Sequence, residues 1–322
     1  MSRTPEFIRG LHNLRPRHRG SVATIGTFDG IHRGHQAILQ QLRTAAEQHQ
    51  LPAVVIIFEP QPHEYFARET APARLMSLAE KSRALFAAGV DRVLCLSFNH
   101  ALAGLTAEQF VQKVLIEGLG IRHLVVGDDF RFGCDRQGNF ALLQSLGAKQ
   151  GFTVSDTATL TDAGVRISST RIRQLLQQAD FASAEKLLGR PYSIAGRVEH
   201  GKKLGRTLGI PTANIQMRRY RAPLAGVYVV VAALGDKCWP AVANVGVRPS
   251  VDSITRPLLE VHLLDYAGNL YGKRLSVFFK AKLRDEQRFD SIEALRTQLQ
   301  QDIEQARAYF ARAHNIHSNH AT

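Results

Sequence analysis

The ten residues Gly26-Thr27-Phe28-Asp29-Gly30-Ile31-His32-Arg33-Gly34-His35 carry the densest chemistry in the chain. Val22 to Ile25 ahead of them read as a short strand, and Ile38, Leu39, Leu42, Ala45 and Ala46 behind them follow helical spacing. A helix beginning near Arg33 or Gly34 would aim its free N–H groups and positive dipole end at whatever lies above the turn, and a phosphate suits that place. His32 and His35, three apart, can face one side of the first turn. As hydrogen-bond donors they would stabilise charge developing on an α-phosphate. Two histidines at this spacing are more often surface or capping residues. The flanking Gly26, Asp29, Gly30 and Gly34, directly after a strand, favour the phosphate site.

A second phosphate cradle is suggested by Ser168-Ser169-Thr170-Arg171 ahead of Ile172, Leu175 and Leu176. Hydroxyls mark a helix start. Capping needs only one of them, and guanidinium groups match phosphate oxygens in shape. Asp129-Phe130-Arg131-Phe132 leaves two readings open: two core phenylalanines, or a platform for a planar ligand.

The second half holds Gly201-Lys202-Lys203-Leu204-Gly205-Arg206-Thr207-Leu208-Gly209-Ile210-Pro211-Thr212-Ala213-Asn214. The glycine spacing is not that of a P-loop, but a glycine-rich loop between strands can bring its amides close to phosphates. Thr212 and Asn214, two apart on an extended segment, offer hard oxygens to a Mg²⁺ that also holds nucleotide phosphates. In Leu259-Glu260-Val261-His262-Leu263, Glu260 and His262 share a face opposite the apolar residues. Glu260 is either solvated or a general base for an attacking hydroxyl.

These groups need two different frames. Apolar runs at Ala53 to Phe58, Arg92 to Phe98 and His123 to Val126 alternate with helical patterns at Ala79 to Ala88, Thr106 to Gly118 and Phe140 to Lys149. That alternation predicts a doubly wound parallel sheet, which binds ligands beyond the carboxyl ends of its strands. Residues 1 to 20 are a loop or an edge strand. Beyond Pro191 the pattern changes to strands at Ser193 to Val198, Val227 to Leu234, Lys237 to Val242, Leu258 to Leu264 and Leu275 to Ala281, with Gly235-Asp236 as a hairpin turn. They predict a small antiparallel barrel. A closing helix carries Ile292, Leu295, Leu299, Ile303, Ala306 and Phe310, with Asp290 as its N-cap and Glu293 completing a capping box. The expected division is residues 1–185, residues 186–312 and a frayed tail, 313–322, bearing His314, His317 and His320.

With 322 residues, 44% hydrophobic and 21% charged, the chain can bury two cores. No apolar run reaches the roughly 20 residues of a membrane span. Cys95, Cys134 and Cys238 are too scattered for a disulfide framework or zinc site, so a cytoplasmic location is expected. Net charge is +3 over residues 1–185 and +10 over 186–322. Without runs of consecutive basic residues, this favours nucleotide ligands over nucleic acid.

The His32-Arg33-Gly34-His35 element in its strand-turn-helix setting resembles the nucleotidyltransferase superfamily. The lysine-rich loop of aminoacyl-tRNA synthetases is absent. The order of motifs from Gly26 to His35 through Gly127 to Gly133, Ile167 to Arg173, Leu188 to Tyr192, Gly201 to Ile215, Asn244 to Pro249, Leu259 to Asp265 and Arg284-Asp285-Glu286 resembles the bacterial bifunctional riboflavin kinase/FAD synthetases over roughly residues 5 to 312. The resemblance implies a nucleotidyltransferase-like sheet and a riboflavin kinase-like barrel. It implies that the barrel transfers the γ-phosphoryl of ATP to riboflavin, giving FMN and ADP, and that the sheet domain adenylylates FMN with a second ATP, giving FAD and pyrophosphate. Gly26, Phe28, Asp29, Gly30, His32, Gly34, His35, Ser168, Ser169, Thr170 and Arg171 would bind the second ATP, and Asp129 to Phe132 would lie by its flavin. In the kinase, Gly201, Lys202, Gly205, Thr207, Gly209, Thr212 and Asn214 would bind Mg-ATP. Arg284 and Glu286 would bind riboflavin there, and Glu260 would be the base. Magnesium accompanies ATP; no tightly held prosthetic group, nucleic acid or membrane is expected.

Overall fold

Strands buried at every position require cover on both faces, and Val22 to Ile25 and Val54 to Ile57 are buried throughout. The computed structural model describes residues 4–201, 205, 208–248 and 256–318. The chain divides into two compact units, Met1–Pro72 with Leu78–Ser169, and Ala73–Ser77 with Thr170–Thr322.

In the first unit β1 (Glu6–Arg9), β2 (Ser21–Ile25), β3 (Ala53–Glu59), β4 (Arg92–Ser97), β5 (Ile121–Gly127) and β6 (Thr153–Thr157) form a parallel sheet in the order β1-β4-β3-β2-β5-β6. The order reverses between β2 and β5, so the loop after β2 opens at the switch point, where ligands bind in such sheets. Residues 6–9 are an edge strand. β6 was not foreseen, because Thr153 to Thr157 lacks an apolar run. Helices Arg33–His49, Leu78–Ala87 and Phe140–Gln150 stand where periodicity places them. Thr106 caps a helix that starts at Ala107 and widens into a π-type segment, Val111–Leu119. The sheet, the helical stretch from Ala107 to Leu119 and the helix Phe140–Gln150 enclose one core that includes Ile25, Ile56, Leu94, Val126 and Leu115. A short hairpin, β7 (Thr161–Asp162) with β8 (Val165–Arg166), precedes the helix Ser169–Gln177.

The second unit is a closed antiparallel barrel of β9 (Ser193–Glu199), β10 (Ala213–Gln216), β11 (Gly226–Leu234), β12 (Lys237–Arg248), β13 (Arg256–Leu263) and β14 (Arg274–Arg284). β9 pairs with both β10 and β14, which closes the ring. Gly235-Asp236 makes the two-residue turn between β11 and β12. β12 runs six residues past the expected Val242.

The closing helix, Ile292–Ser318, packs Ile303, Ala306, Tyr309 and Phe310 against Val227, Val229 and Val242. Two expectations are corrected here. Ser291 Oγ, not Asp290, accepts the N–H of Ala294 as the cap, at 3.0 Å. Ile292 is 56% exposed, because it precedes the first turn that touches the barrel. The helix assignment extends to Ser318, and His320 lies outside the described residues. Helix Phe181–Leu188 spans the expected division at 185, and its Phe181 ring packs on Tyr228 and Phe279 of the barrel.

Candidate functional site

At the end of β2 the chain turns sharply before the helix Arg33–His49. Phe28 (φ 46°) and Ile31 (φ 42°) take left-handed backbone conformations and are 2% and 3% exposed. Such residues cost roughly 1–2 kcal/mol each and persist only where their surroundings fix them. Burial of the two side chains and the Gln36 amide, which donates to the Ile31 carbonyl at 3.0 Å, fix this turn. His32 is the helix N-cap: its Nδ1 accepts the His35 N–H at 3.3 Å. Because Nδ1 accepts, a neutral His32 in that role carries its proton on Nε2. The His35 ring stacks on His32 with centroids 3.7 Å apart and tilts against Phe28 at 5.1 Å.

Gly34 gives this stacking its room, since a Cβ would sit 3.2 Å from the His32 ring and push it by a few tenths of an ångström. His35 Nδ1 is buried with no partner among the described residues. Burial, then the nearby charges of His32, Lys81 and Arg166, hold the His35 pKa well below the ordinary histidine range. Lys81, 1% exposed on the helix Leu78–Ala87, is not legible in the sequence because one lysine in an amphipathic helix carries no signal.

Ser169 Oγ donates to the Asp29 carbonyl at 2.8 Å, which brings that hydroxyl to the turn. Thr170 and Arg171 follow in the first turn of the helix Ser169–Gln177 and belong to the second compact unit. After β5, Asp129 and Arg131 are exposed. The Arg166 guanidinium, 2.6 Å from Asp129, lowers the pKa of that carboxyl. Phe132 is 8% exposed and packs on Phe110 in the core, with Phe130 stacked on it at 5.6 Å, so core packing takes most of both rings. The exposed aromatic surface lies instead beyond β3 and β4, where Tyr65, Phe66 and Phe98 form edge-to-face contacts and Phe66 is 70% exposed. Adjacent aromatics in a polar stretch were the signal for it.

In the barrel, Asn214 and Asn244 lie directly opposite Glu260 on either side of β13. Their neighbours Ile215, Leu259, Val261 and Val245 fill the opposite, buried face, at 0–1% exposure. The polar rung therefore looks outward, into a cavity of about 410 Å³ bounded by the closing helix. That volume is within the usual range of a small-ligand pocket. Thr212, Asn214, Glu260, His262, Arg284 and Glu286 all line it.

Asn214 Oδ1 is buried without a partner among the described residues, and a Cβ on Gly201 would collide with this side chain, so the backbone at Gly201 passes directly over it. His262 is tied by its Nδ1 to the Pro211 carbonyl at 2.8 Å. Gly205 and Thr212 line the cavity, and Gly209 (φ 76°) turns the chain between them; Lys202 and Thr207 lie outside the described residues. The Arg284 guanidinium is held bidentately by Asp302, at 2.8 and 2.9 Å, and lies over the Phe289 ring. A second cavity of about 420 Å³, lined by Val198, Pro211, Leu270 and Tyr271, meets the first at Thr212.

A switch-point loop with a histidine-capped helix on one fold, and a carboxylate flanked by amides in a glycine-bordered cavity on another, define a transferase with two nucleotide-handling centres. The family model described as FAD synthetase matches residues 14–171, and that of riboflavin kinase matches residues 188–310. The chain belongs to the bifunctional riboflavin kinase/FMN adenylyltransferase family. It is 57% identical over 306 residues to the Pseudomonas fluorescens protein of that name, covering 95% of this chain and 98% of the relative. Its counterpart in Escherichia coli (strain K12) is 50% identical over 307 residues, with the same coverage. A crystal structure of a macrolide-efflux protein from Streptococcus pneumoniae superposes with a TM-score of 0.74 at 33% identity, covering 94% of this chain and 98% of that one. Among the described residues no helix is long and apolar enough to cross a membrane.

Proposed function

We propose that residues 186–312 phosphorylate riboflavin at Glu260 and that residues 1–185 adenylylate the resulting FMN around His32 and His35. The chain is a bifunctional riboflavin kinase and FMN adenylyltransferase, with the adenylyltransferase N-terminal. The observation that carries the residue assignment is the convergence of Thr212, Asn214 and Glu260 on one cavity.

In the kinase centre the Glu260 carboxylate takes the proton of the riboflavin 5′-hydroxyl as its oxygen attacks the γ-phosphorus of ATP, and ADP leaves. The nucleotide occupies the Tyr271-lined cavity, so that the two ligands meet at Thr212. Thr212 Oγ1 and the orphaned Asn214 Oδ1 are hard oxygens that fit Mg²⁺, whose chemistry there would be to neutralise phosphate charge. Arg284, already engaged by Asp302, shapes the flavin wall together with Phe289.

In the other centre an FMN phosphate oxygen attacks the α-phosphorus of a second ATP and pyrophosphate leaves. His32 Nε2–H, a neutral His35 and the amides of the first helical turn donate to the phosphoryl oxygens. Ser168 and Ser169 support the turn, and the aromatic surface of Tyr65, Phe66 and Phe98 offers the flavin ring an edge to stack on. The divide at 185 is supported by family matches that end at 171 and resume at 188. A cytoplasmic setting, where ATP is available, belongs to the same reading.

Purified protein incubated with riboflavin, ATP and Mg²⁺, then resolved by chromatography, should accumulate FMN and then FAD. Glu260→Gln should lose roughly 10²-fold or more in riboflavin phosphorylation while FMN adenylylation survives. Retained phosphorylation would refute Glu260 as the base.

A further inference from the structure

Asn244 faces Glu260 across the β12–β13 ladder as Asn214 does from the other side. Its Nδ2 donates to Glu286 Oε1 at 3.3 Å, while its Oδ1 is buried with no hydrogen-bond partner among the described residues. Exchanging the amide atoms would set oxygen against carboxylate oxygen, so the carbonyl is the end that points away from Glu286. Gly246, two residues on and on the same face, is what admits Glu286: a Cβ there would collide with its carboxylate. Asn244, Gly246, Glu260 and Glu286 line one cavity. A buried carbonyl without a donor needs an explanation, and a ligand that brings the donor supplies one.

The next step rests on riboflavin being the substrate and Glu260 its base. Directly opposed residues of an antiparallel ladder have Cβ atoms about 5 Å apart. Hydroxyls along a polyol chain sit on successive carbons, so one that lies a carbon or two inward from the hydroxyl at Glu260 comes within reach of Asn244. We propose that Asn244 is a specificity-determining residue of the kinase centre. Its Oδ1 accepts a hydrogen bond from an inner hydroxyl of the ribityl chain, and Glu286 locks the amide so that the carbonyl is presented. The contact selects a polyhydroxylated side chain independently of the ring system, and it sets the terminal hydroxyl at Glu260.

The test measures phosphorylation of riboflavin and of its 2′-, 3′- and 4′-deoxy analogues by full-length wild type, Asn244→Ala and Asn244→Ser, with urea unfolding to confirm that each variant folds. Wild type should discriminate against at least one analogue by about tenfold or more in kcat/KM. Asn244→Ala should treat that analogue and riboflavin within about twofold of each other. Should the alanine variant not fold, the serine variant carries the comparison. An equal loss with riboflavin and every analogue, an unchanged ratio, or a wild type indifferent to all three deoxy positions would overturn the role of Asn244. A wild type that does not phosphorylate riboflavin at all would instead overturn the substrate assignment.

Discussion

His35 has a direct consequence for pH. Its folded pKa lies well below that of a free histidine, chiefly through burial. Below about pH 6.5 the unfolded chain therefore takes up a proton that the folded chain refuses, and stability falls as pH drops towards the folded pKa. Urea unfolding between pH 7.5 and 5 should show this loss in wild type and a flatter profile in His35→Gln. His32 and His35 were legible as a pair because residue type and spacing alone select them. Their stacking was not, since it depends on His32 taking an extended cap conformation (ψ 172°) that only the three-dimensional turn imposes. Gly201 is a further single-residue lever. A methyl group there would displace the Asn214 side chain, and Gly201→Ala should cost roughly 10²-fold in kinase kcat/KM, as small misplacements of reacting groups do. Adenylylation should be untouched in the same assay.

The elements separate what local pattern encodes from what pairing encodes. Alternation in β13 placed Glu260 and His262 on one polar face, and both line the cavity. The two asparagines beside Glu260 were not legible as a rung, because register between strands distant in sequence is written in no single stretch. β12 outruns its apolar pattern for a related reason: a glycine ordinarily weakens a strand, yet in the sheet Gly246 makes room for Glu286. The closing helix carries a clue of its own. Asp302 falls on its apolar stripe beside Leu299 and Ile303, and a buried acid at such a place calls for a partner, which is Arg284. Asp302→Ala removes one half of a largely buried pair and should destabilise the barrel unit by roughly 3 kcal/mol. Denaturant unfolding read at Trp239 on β12 would measure it.

At the scale of the whole chain, the two-domain plan was legible from the change in strand and helix alternation near Pro191. The compact units meet the chain elsewhere, at Ser169–Thr170, and residues Ala73–Ser77 join the second unit. There Arg219, 6% exposed, donates to the carbonyls of Arg74 and Leu75, both at 3.1 Å. Such a detour leaves no trace in periodicity. A fragment of residues 186–322 lacks Phe181, whose ring packs on Tyr228 and Phe279, whereas 170–322 keeps it. The shorter fragment should be less stable by roughly 3 kcal/mol, the usual cost of deleting a buried phenylalanine, when both are unfolded in urea.

The closure of the barrel through β9 bears on how this protein can change over time. A hoop of strands has no free margin along which one member could slide, and a slip by a single position would turn Glu260 inward among the aliphatic residues. Insertions and substitutions can thus accumulate in the connections between strands while the carboxylate keeps its bearing.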